Sequence, residues 1–227
     1  MVKPATVTPR KTPKAPAHKR RRTAIGEDRE RQIIQEAVNF FADVGFGGQT
    51  RELSKRLGIT QPALYRYFPT KDALIERVYQ EVFLRRWNPH WETLLANNEM
   101  PIAERLQAFY LDYAQSIMER NWIRITMLAA LSGNDMTRRY VDLVGERIIV
   151  KVCQAVRTEA GLPKVANRRL PSDQLQLVWN MHGSIIYLAI RKYIYGFQPI
   201  EPLVATMQTM VEAFLQSALK LMTREVV

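Results

Sequence analysis

Large apolar residues recur at intervals of three and four along most of the chain, which is the spacing of one face of an α-helix. The first such stripe contains Ile33, Ala37, Phe40 and Val44, and it stops at Gly45. No segment alternates apolar and polar residues between hairpin turns, and the sequence contains no internal repeat. The pattern therefore predicts an all-α fold.

Prolines, glycines and capping residues divide this pattern into about nine helices. The fourth helix is expected to continue through Trp87 and Trp91, with either a kink or an interruption at Pro89, because proline lacks a backbone N–H. The predicted helices begin near these residues: Glu27, Thr50, Thr60, Lys71, Pro101, Asn121, Met136, Ser172 and Pro202.

The second and third predicted helices are short and are joined by a turn that contains Gly58. Thr50 and Thr60 are suited to cap them, and Pro62 is tolerated in the first turn of the third helix. Two short helices joined by a glycine turn, after a supporting amphipathic helix, form the pattern of a helix-turn-helix.

The third helix is rich in side chains that bind DNA in other proteins. Gln61 and Arg66 can reach base edges or phosphates, and the hydroxyls of Tyr65 and Tyr67 can donate to phosphate oxygens. Lys71 in the first turn of the fourth helix opposes the helix dipole, which an external phosphate would offset. The alternative for Lys71 is a solvated side chain that salt screens.

The charge of the chain is concentrated at its N-terminus. The net charge is +11, and residues 1–26 carry +8 of it with no acidic residue, which leaves +3 for the rest. Because this segment has almost no large apolar side chain, it is predicted to be a disordered basic arm. Its residues Arg20, Arg21 and Arg22 are expected to enter a minor groove or to follow phosphates, the alternative being a solvated tail.

The composition disfavours secreted and membrane proteins. Cys153 is the single cysteine, which excludes an internal disulfide. The N-terminus has no apolar stretch of a signal peptide, and polar residues interrupt the most apolar helix, at 175–190. We therefore expect a cytoplasmic protein that does not bind a membrane.

An enzyme is the main rival class, and the sequence offers little for it. His18, His90 and His182 are scattered, and the chain has no metal-ligand spacing, no nucleophile elbow and no phosphate-binding glycine loop. We expect no catalytic residues, no metal site and no cofactor.

Three stretches together resemble the DNA-binding domain of the TetR family of bacterial regulators, over about Arg31 to Val82. They are residues 40–46 (FFADVGF), 50–54 (TRELS) and 58–74 (GITQPALYRYFPTKDAL). The resemblance implies a three-helix helix-turn-helix domain at 27–70, after the arm at 1–26, and a helical effector-binding and dimerisation domain at 71–227. It implies a dimer that binds a palindromic double-stranded DNA operator, most simply as a repressor, although an activator stays open.

The resemblance also assigns roles to individual positions of the helix-turn-helix. Two departures from the family pattern, Gly47-Gly48-Gln49 and Pro62-Ala63, prevent any inference of the operator sequence. The resemblance implies that Thr50 and Thr60 cap helices near phosphate. It implies that four residues face the groove: Gln61, Ala63, Leu64 and Arg66. It further implies that Tyr65, Tyr67 and Lys71 bind the DNA backbone, with Arg51 on the same surface.

The last two predicted helices are the expected dimer interface. An apolar seam at steps of three and four runs along the ninth helix, and the eighth has small residues that permit close approach. A stripe in the core of a monomer would have the same spacing. The expected interface residues are Gly183, Ala189, Leu203, Met207, Met210, Phe214, Ser217 and Leu221.

Aromatic residues and methionines in the middle helices suit an apolar cavity for a small apolar or aromatic effector, although residues with this spacing are more often core. A second alternative is a C-terminal domain that docks a protein partner. The expected ligand-binding residues are Phe109, Tyr113, Trp122, Arg124, Met127, Trp179, His182 and Tyr187.

Overall fold

A computed structural model describes residues 17–223, with side chains from residue 26. This part of the chain contains ten helices and no strand, so the all-α prediction is confirmed. The helices are α1 (Ala17–Val44), α2 (Thr50–Arg56), α3 (Gln61–Tyr67), α4 (Lys71–Tyr79, continued by the π-helical turn Gln80–Leu84), α5 (His90–Ala96), α6 (Ile102–Ile117), α7 (Arg120–Leu131), α8 (Met136–Val144, a π-helical turn Gly145–Ile149, and Val150–Glu159), α9 (Ser172–Tyr193) and α10 (Leu203–Thr223).

The extra helix arises where the fourth predicted helix ends early. α4 stops at Leu84, and the N–H of Trp87 donates to the Leu84 carbonyl in a turn (3.1 Å). Pro89 then precedes a separate helix, whose first N–H, on His90, donates to the side-chain oxygen of Asn88 (3.0 Å). Of the two outcomes predicted at Pro89, a kink or an interruption, the structure has the interruption, because Pro89 disfavours helical backbone at the residue before it.

The first helix begins at Ala17 and not at Glu27. The segment from Ala17 is rich in alanine, lysine and arginine, which favour helix, and extending an existing helix costs less than starting one. The part of the predicted arm that precedes Ala17 lies outside the described residues. The side chains of Arg20, Arg21 and Arg22 do as well.

Helix α1 packs against two sets of helices. Its residues Ile33, Ala37 and Phe40 are fully buried, and α1 contacts α2 and α4 as well as α7. Leu53 of α2 and Leu74 of α4 complete the core beneath the helix-turn-helix. Helices α5 to α10 pack around a group of buried aromatic residues that belongs to the same continuous core. No helix within residues 17–223 has both the length and the apolar character that a membrane crossing requires.

One departure from the family pattern, the glycine pair between α1 and α2, has a packing reason at Gly48. A Cβ atom on Gly48 would lie 2.7 Å from the Phe40 ring and 2.6 Å from a methyl carbon of Val44. A Cβ on Gly47 would meet nothing within 4 Å. Gly48 therefore lets the chain pass close over α1, and Gly47 has no such role.

We predict that Gly48→Ala lowers the free energy of unfolding by about 1–3 kcal/mol, because Phe40 is fully buried and has little room to move. Gly47→Ala is the matched control and should be neutral or slightly stabilising. Urea denaturation followed by circular dichroism measures both. Equal midpoints for the two variants would contradict the packing role of Gly48.

Candidate nucleic-acid interface

The turn between α2 and α3 is built from local signals. Gly58 has φ +63°, a conformation that favours glycine, and the chain reverses there after α2. The Thr60 side chain accepts a hydrogen bond from the N–H of Ala63 (3.3 Å) and so caps α3, as the sequence predicts. The N-cap of α2 is Gln49 and not Thr50, because the backbone of Gln49 is extended and the helix begins at Thr50.

Thr50 joins α2 to α3 through its hydroxyl. Its Oγ1 lies 3.0 Å from the Tyr65 hydroxyl and accepts a hydrogen bond from the Gln61 amide (3.0 Å). Thr50 is 7% exposed, so these contacts are largely shielded from water. Gln61 and Tyr65, expected to contact DNA, are thus held from within the protein, which fixes the orientation of α3.

The outer face of α3 carries Arg66 and Tyr67, and both are exposed. Ala63 is half-buried beside them. The expectation that Leu64 faces the groove is corrected by its burial: it is 1% exposed and packs into the core beneath α3. A seven-residue helix needs such an anchor, since short helices are marginal alone.

Unpaired cations surround this face. Arg51 and Lys55 of α2 and Arg66 of α3 are exposed, and none of them forms an ion pair within residues 26–223. Arg56 differs, because it pairs with Asp43 (3.2 Å). Free arginine and lysine side chains are the groups that neutralise phosphates.

Lys71 has a partner within the protein. Its Nζ donates to the backbone carbonyl of Phe46 (2.6 Å). This contact offsets the unfavourable position of the cation at the start of α4, so the position requires no external phosphate. An ammonium has three donors, which leaves two for other contacts.

Two arginines of α7 bind the end of α1, a contact that was not predicted from the sequence. Arg124 Nε donates to the Ala42 carbonyl (2.6 Å), and the Arg120 guanidinium pairs with the Asp43 carboxylate (2.9 Å). Hydrogen bonds from Arg120 and then Arg56 lower the pKa of Asp43, despite the opposing effect of burial. Arg124, expected in a ligand pocket, therefore binds the orphan carbonyls at the end of α1. In the sequence, this contact is indicated only by Asp43, which lies in the stretch that resembles the TetR family.

Four of the expected ligand-binding residues lie in one buried aromatic cluster. His182 Nε2 is 3.0 Å from the Tyr113 hydroxyl, and the Tyr113 ring is 5.9 Å from that of Phe109. The Tyr140 hydroxyl donates to that of Tyr113 (3.3 Å), and Trp122 packs edge-on against Tyr140. Burial lowers the pKa of His182 to about 3, so its imidazole is neutral.

The other expected ligand residues lie around this cluster or away from it. Trp179 is half-buried and packs edge-on against His182 at 5.9 Å between ring centroids. Met127 is half-buried on α7. Tyr187 is 53% exposed on the outside of α9, so the structure does not bring it into the cluster.

The expected interface residues fall into three groups. Ala189, Met207 and Phe214 are buried in the core of the chain itself, which corrects their assignment to an interface between chains. Gly183 and Ser217 are exposed. The remaining ones are half-buried: Leu203, Met210 and Leu221.

The sequence of the helix-turn-helix region matches a known family. The family described as bacterial regulatory proteins, tetR family, matches residues 33–78. The class A tetracycline repressor protein from transposon 1721, in Escherichia coli, is 31% identical over 85 residues, covering 34% of this chain and 39% of that repressor. The chain thus spans less than half the length of the curated relatives that it matches.

Solved structures share the fold over most of the chain. A TetR-like transcriptional regulator from Rhodococcus sp. RHA1 has a TM-score of 0.62 at 17% identity and covers 85% of this chain and 96% of its own. A tetR-family transcriptional regulator from Streptomyces coelicolor has a TM-score of 0.57 at 17% identity and covers 88% of each. The predicted TetR resemblance is confirmed, as is an N-terminal helix-turn-helix followed by a helical C-terminal part.

We predict that Thr50→Val lowers the free energy of unfolding by about 1 kcal/mol. Valine has nearly the shape of threonine, but Gln61 and Tyr65 lose the hydroxyl that they both contact. Thr93→Val on α5 is the control, since Thr93 is exposed and its side chain makes no hydrogen bond within the described residues. Urea denaturation gives both values. A loss that is equal in the two variants would show that the Thr50 contacts do not hold α3.

Proposed function

The chain belongs to the TetR family through its N-terminal helix-turn-helix, and on this premise we propose that it is a repressor that binds a palindromic operator as a homodimer. The observation that carries the proposal is the family match over residues 33–78, which contain α3 with its outward Arg66 and Tyr67. In this proposal a small apolar or aromatic effector releases the DNA. The protein would act in the cytoplasm.

DNA recognition is proposed to rest on the exposed face of α3. Arg66 can bind guanine edges or phosphate, and the Tyr67 hydroxyl can donate to phosphate. Arg51 and Lys55 would neutralise phosphates beside them, since no carboxylate within the described residues competes for them. Thr50 supports this surface indirectly, through Gln61 and Tyr65.

Dimerisation is proposed through the exposed faces of α9 and α10. Gly183 lies in the middle of α9, where glycine costs roughly 1 kcal/mol relative to alanine. Its own chain gives no reason for it, because a Cβ there would meet nothing within 4 Å. Close approach of a helix from a second copy would supply the reason, with Ser184 and Tyr187 exposed nearby.

The effector is proposed to enter the aromatic cluster around Tyr113 and His182. Within the described residues, His182 Nδ1 and the Tyr110 hydroxyl are buried without a hydrogen-bond partner, which is costly unless a ligand or water meets them. Both side chains stay neutral, since burial lowers the pKa of His182 and raises that of Tyr110. A neutral aromatic molecule with polar groups fits this environment.

Release of DNA would follow from differential binding. An effector shifts an equilibrium only by its different affinity for two states, so it must favour one position of the DNA-binding helices. Helix α7 connects the two parts, because Trp122 lies in the cluster while Arg120 and Arg124 hold the end of α1. A shift of α7 would therefore move α1 and, with it, α3.

Selection from random duplex DNA should recover a palindromic site. On that site we expect Arg66→Ala to lower affinity by roughly tenfold or more, since one such contact contributes about 1–3 kcal/mol. Arg138→Ala is the control, because Arg138 is exposed on α8 and forms no ion pair within residues 26–223. The proposal would be refuted if the protein bound all duplexes equally well, or if Arg66→Ala and Arg138→Ala bound the selected site with equal affinity.

Gly183→Leu should raise the dimer dissociation constant by roughly tenfold or more, because a large side chain would separate the paired helices. Ala130→Leu places the same side chain at an exposed position of α7 and should leave the dimer unchanged. Sedimentation velocity over a range of concentrations measures both. A Gly183→Leu protein that dimerises like the unmodified chain would exclude this interface.

A further inference from the structure

A second site lies outside the aromatic cluster, in a groove between the end of α9 and the start of α10. The groove has a volume of about 370 Å³, within the range of small-molecule sites. The connecting segment 194–202 forms one wall, and its Phe197 and Ile200 are 61% and 83% exposed. The apolar lining consists of Met118, Leu188, Phe197, Pro199, Ile200 and Leu203.

Two cations stand at this apolar groove. Arg191 and Lys192, at the end of α9, both line it, and neither forms an ion pair within the described residues. Lys192 Nζ lies 5.0 Å from the centroid of the Tyr193 ring. Glu201 is the single acidic residue of the lining, so the lining has an excess of positive charge.

We propose that this groove binds an amphipathic carboxylate, with its apolar body against Leu188, Leu203 and Ile200 and its carboxylate on Arg191. Burying an apolar body in such a groove is favourable, and a charge-assisted pair with arginine fixes its orientation. The proposal stands apart from DNA binding, since it concerns ligand binding alone.

A second copy of the chain fits this groove less well. Covering Arg191 and Lys192 with protein removes two charges from water, which is costly unless an acidic partner meets them. A carboxylate ligand brings that partner with it. Gly183 and Tyr187, proposed for the dimer, lie about two turns and about one turn before Arg191 on α9, so the groove adjoins the proposed dimer surface at its end.

Calorimetric titration of the full chain with dodecanoate and with dodecan-1-ol, below micelle formation and without DNA, tests the proposal. We expect dodecanoate to bind roughly tenfold or more tightly than the alcohol, because only the carboxylate pairs with Arg191. Arg191→Gln should remove most of that difference, and Leu188→Trp should reduce binding of both ligands by filling the groove. Arg138→Gln also removes one positive charge, but on α8 and outside the groove, so it should leave both affinities unchanged.

Three outcomes would overturn the proposal. Equal affinity for the acid and the alcohol would remove the role of Arg191. Unaltered binding in the folded Leu188→Trp protein, checked by circular dichroism, would place the ligand elsewhere. A loss of self-association in Leu188→Trp without a change in dodecanoate affinity would assign the groove to a second copy. Because the titration contains no DNA, a negative result for the groove says nothing about DNA binding. Likewise, a failure of the DNA-binding experiment says nothing about the groove.

Discussion

The structure depends on the packing of α1 between two groups of helices. Its buried face holds the helix-turn-helix, while α7 lies along it and binds the carbonyl of Ala42 through Arg124. Carbonyls at the end of a helix have no partner within it, so they need donors from elsewhere. Because α7 supplies those donors, a displacement of α7 that keeps these contacts also displaces the end of α1. The position of the DNA-binding helices is therefore set partly by the C-terminal part of the chain.

The outward face of α3 is specified by what its inner face buries. Leu64 anchors the helix in the core, and Thr50 holds Gln61 and Tyr65 from the side. These contacts leave Arg66 as a freely exposed cation on a rigid support. Conversely, a helix of seven residues without them would gain too little from its own hydrogen bonds to remain ordered.

Local features of this fold could be predicted, and tertiary contacts could not. Gly58 and the cap at Thr60 act within a few residues, so their sequence sufficed to place the turn and the start of α3. Lys71 and Arg124 have partners that are distant in sequence, and a spacing rule does not show which carbonyl an exposed cation will reach. The buried residues of α9 and α10 were ambiguous for a related reason, since the same apolar spacing serves a core and an interface.

The two regions proposed to bind small molecules differ in charge. The cluster around His182 is neutral, because burial holds the pKa of that imidazole near 3 and raises the pKa of Tyr140 to about 12. A carboxylate that entered this cluster would lose its water without gaining a counter-charge. At the groove, by contrast, Arg191 stays in contact with solvent and can pair with an anion while the apolar body is buried. If both proposals hold, the two regions would bind different molecules, a neutral aromatic one at the cluster and an amphipathic anion at the groove.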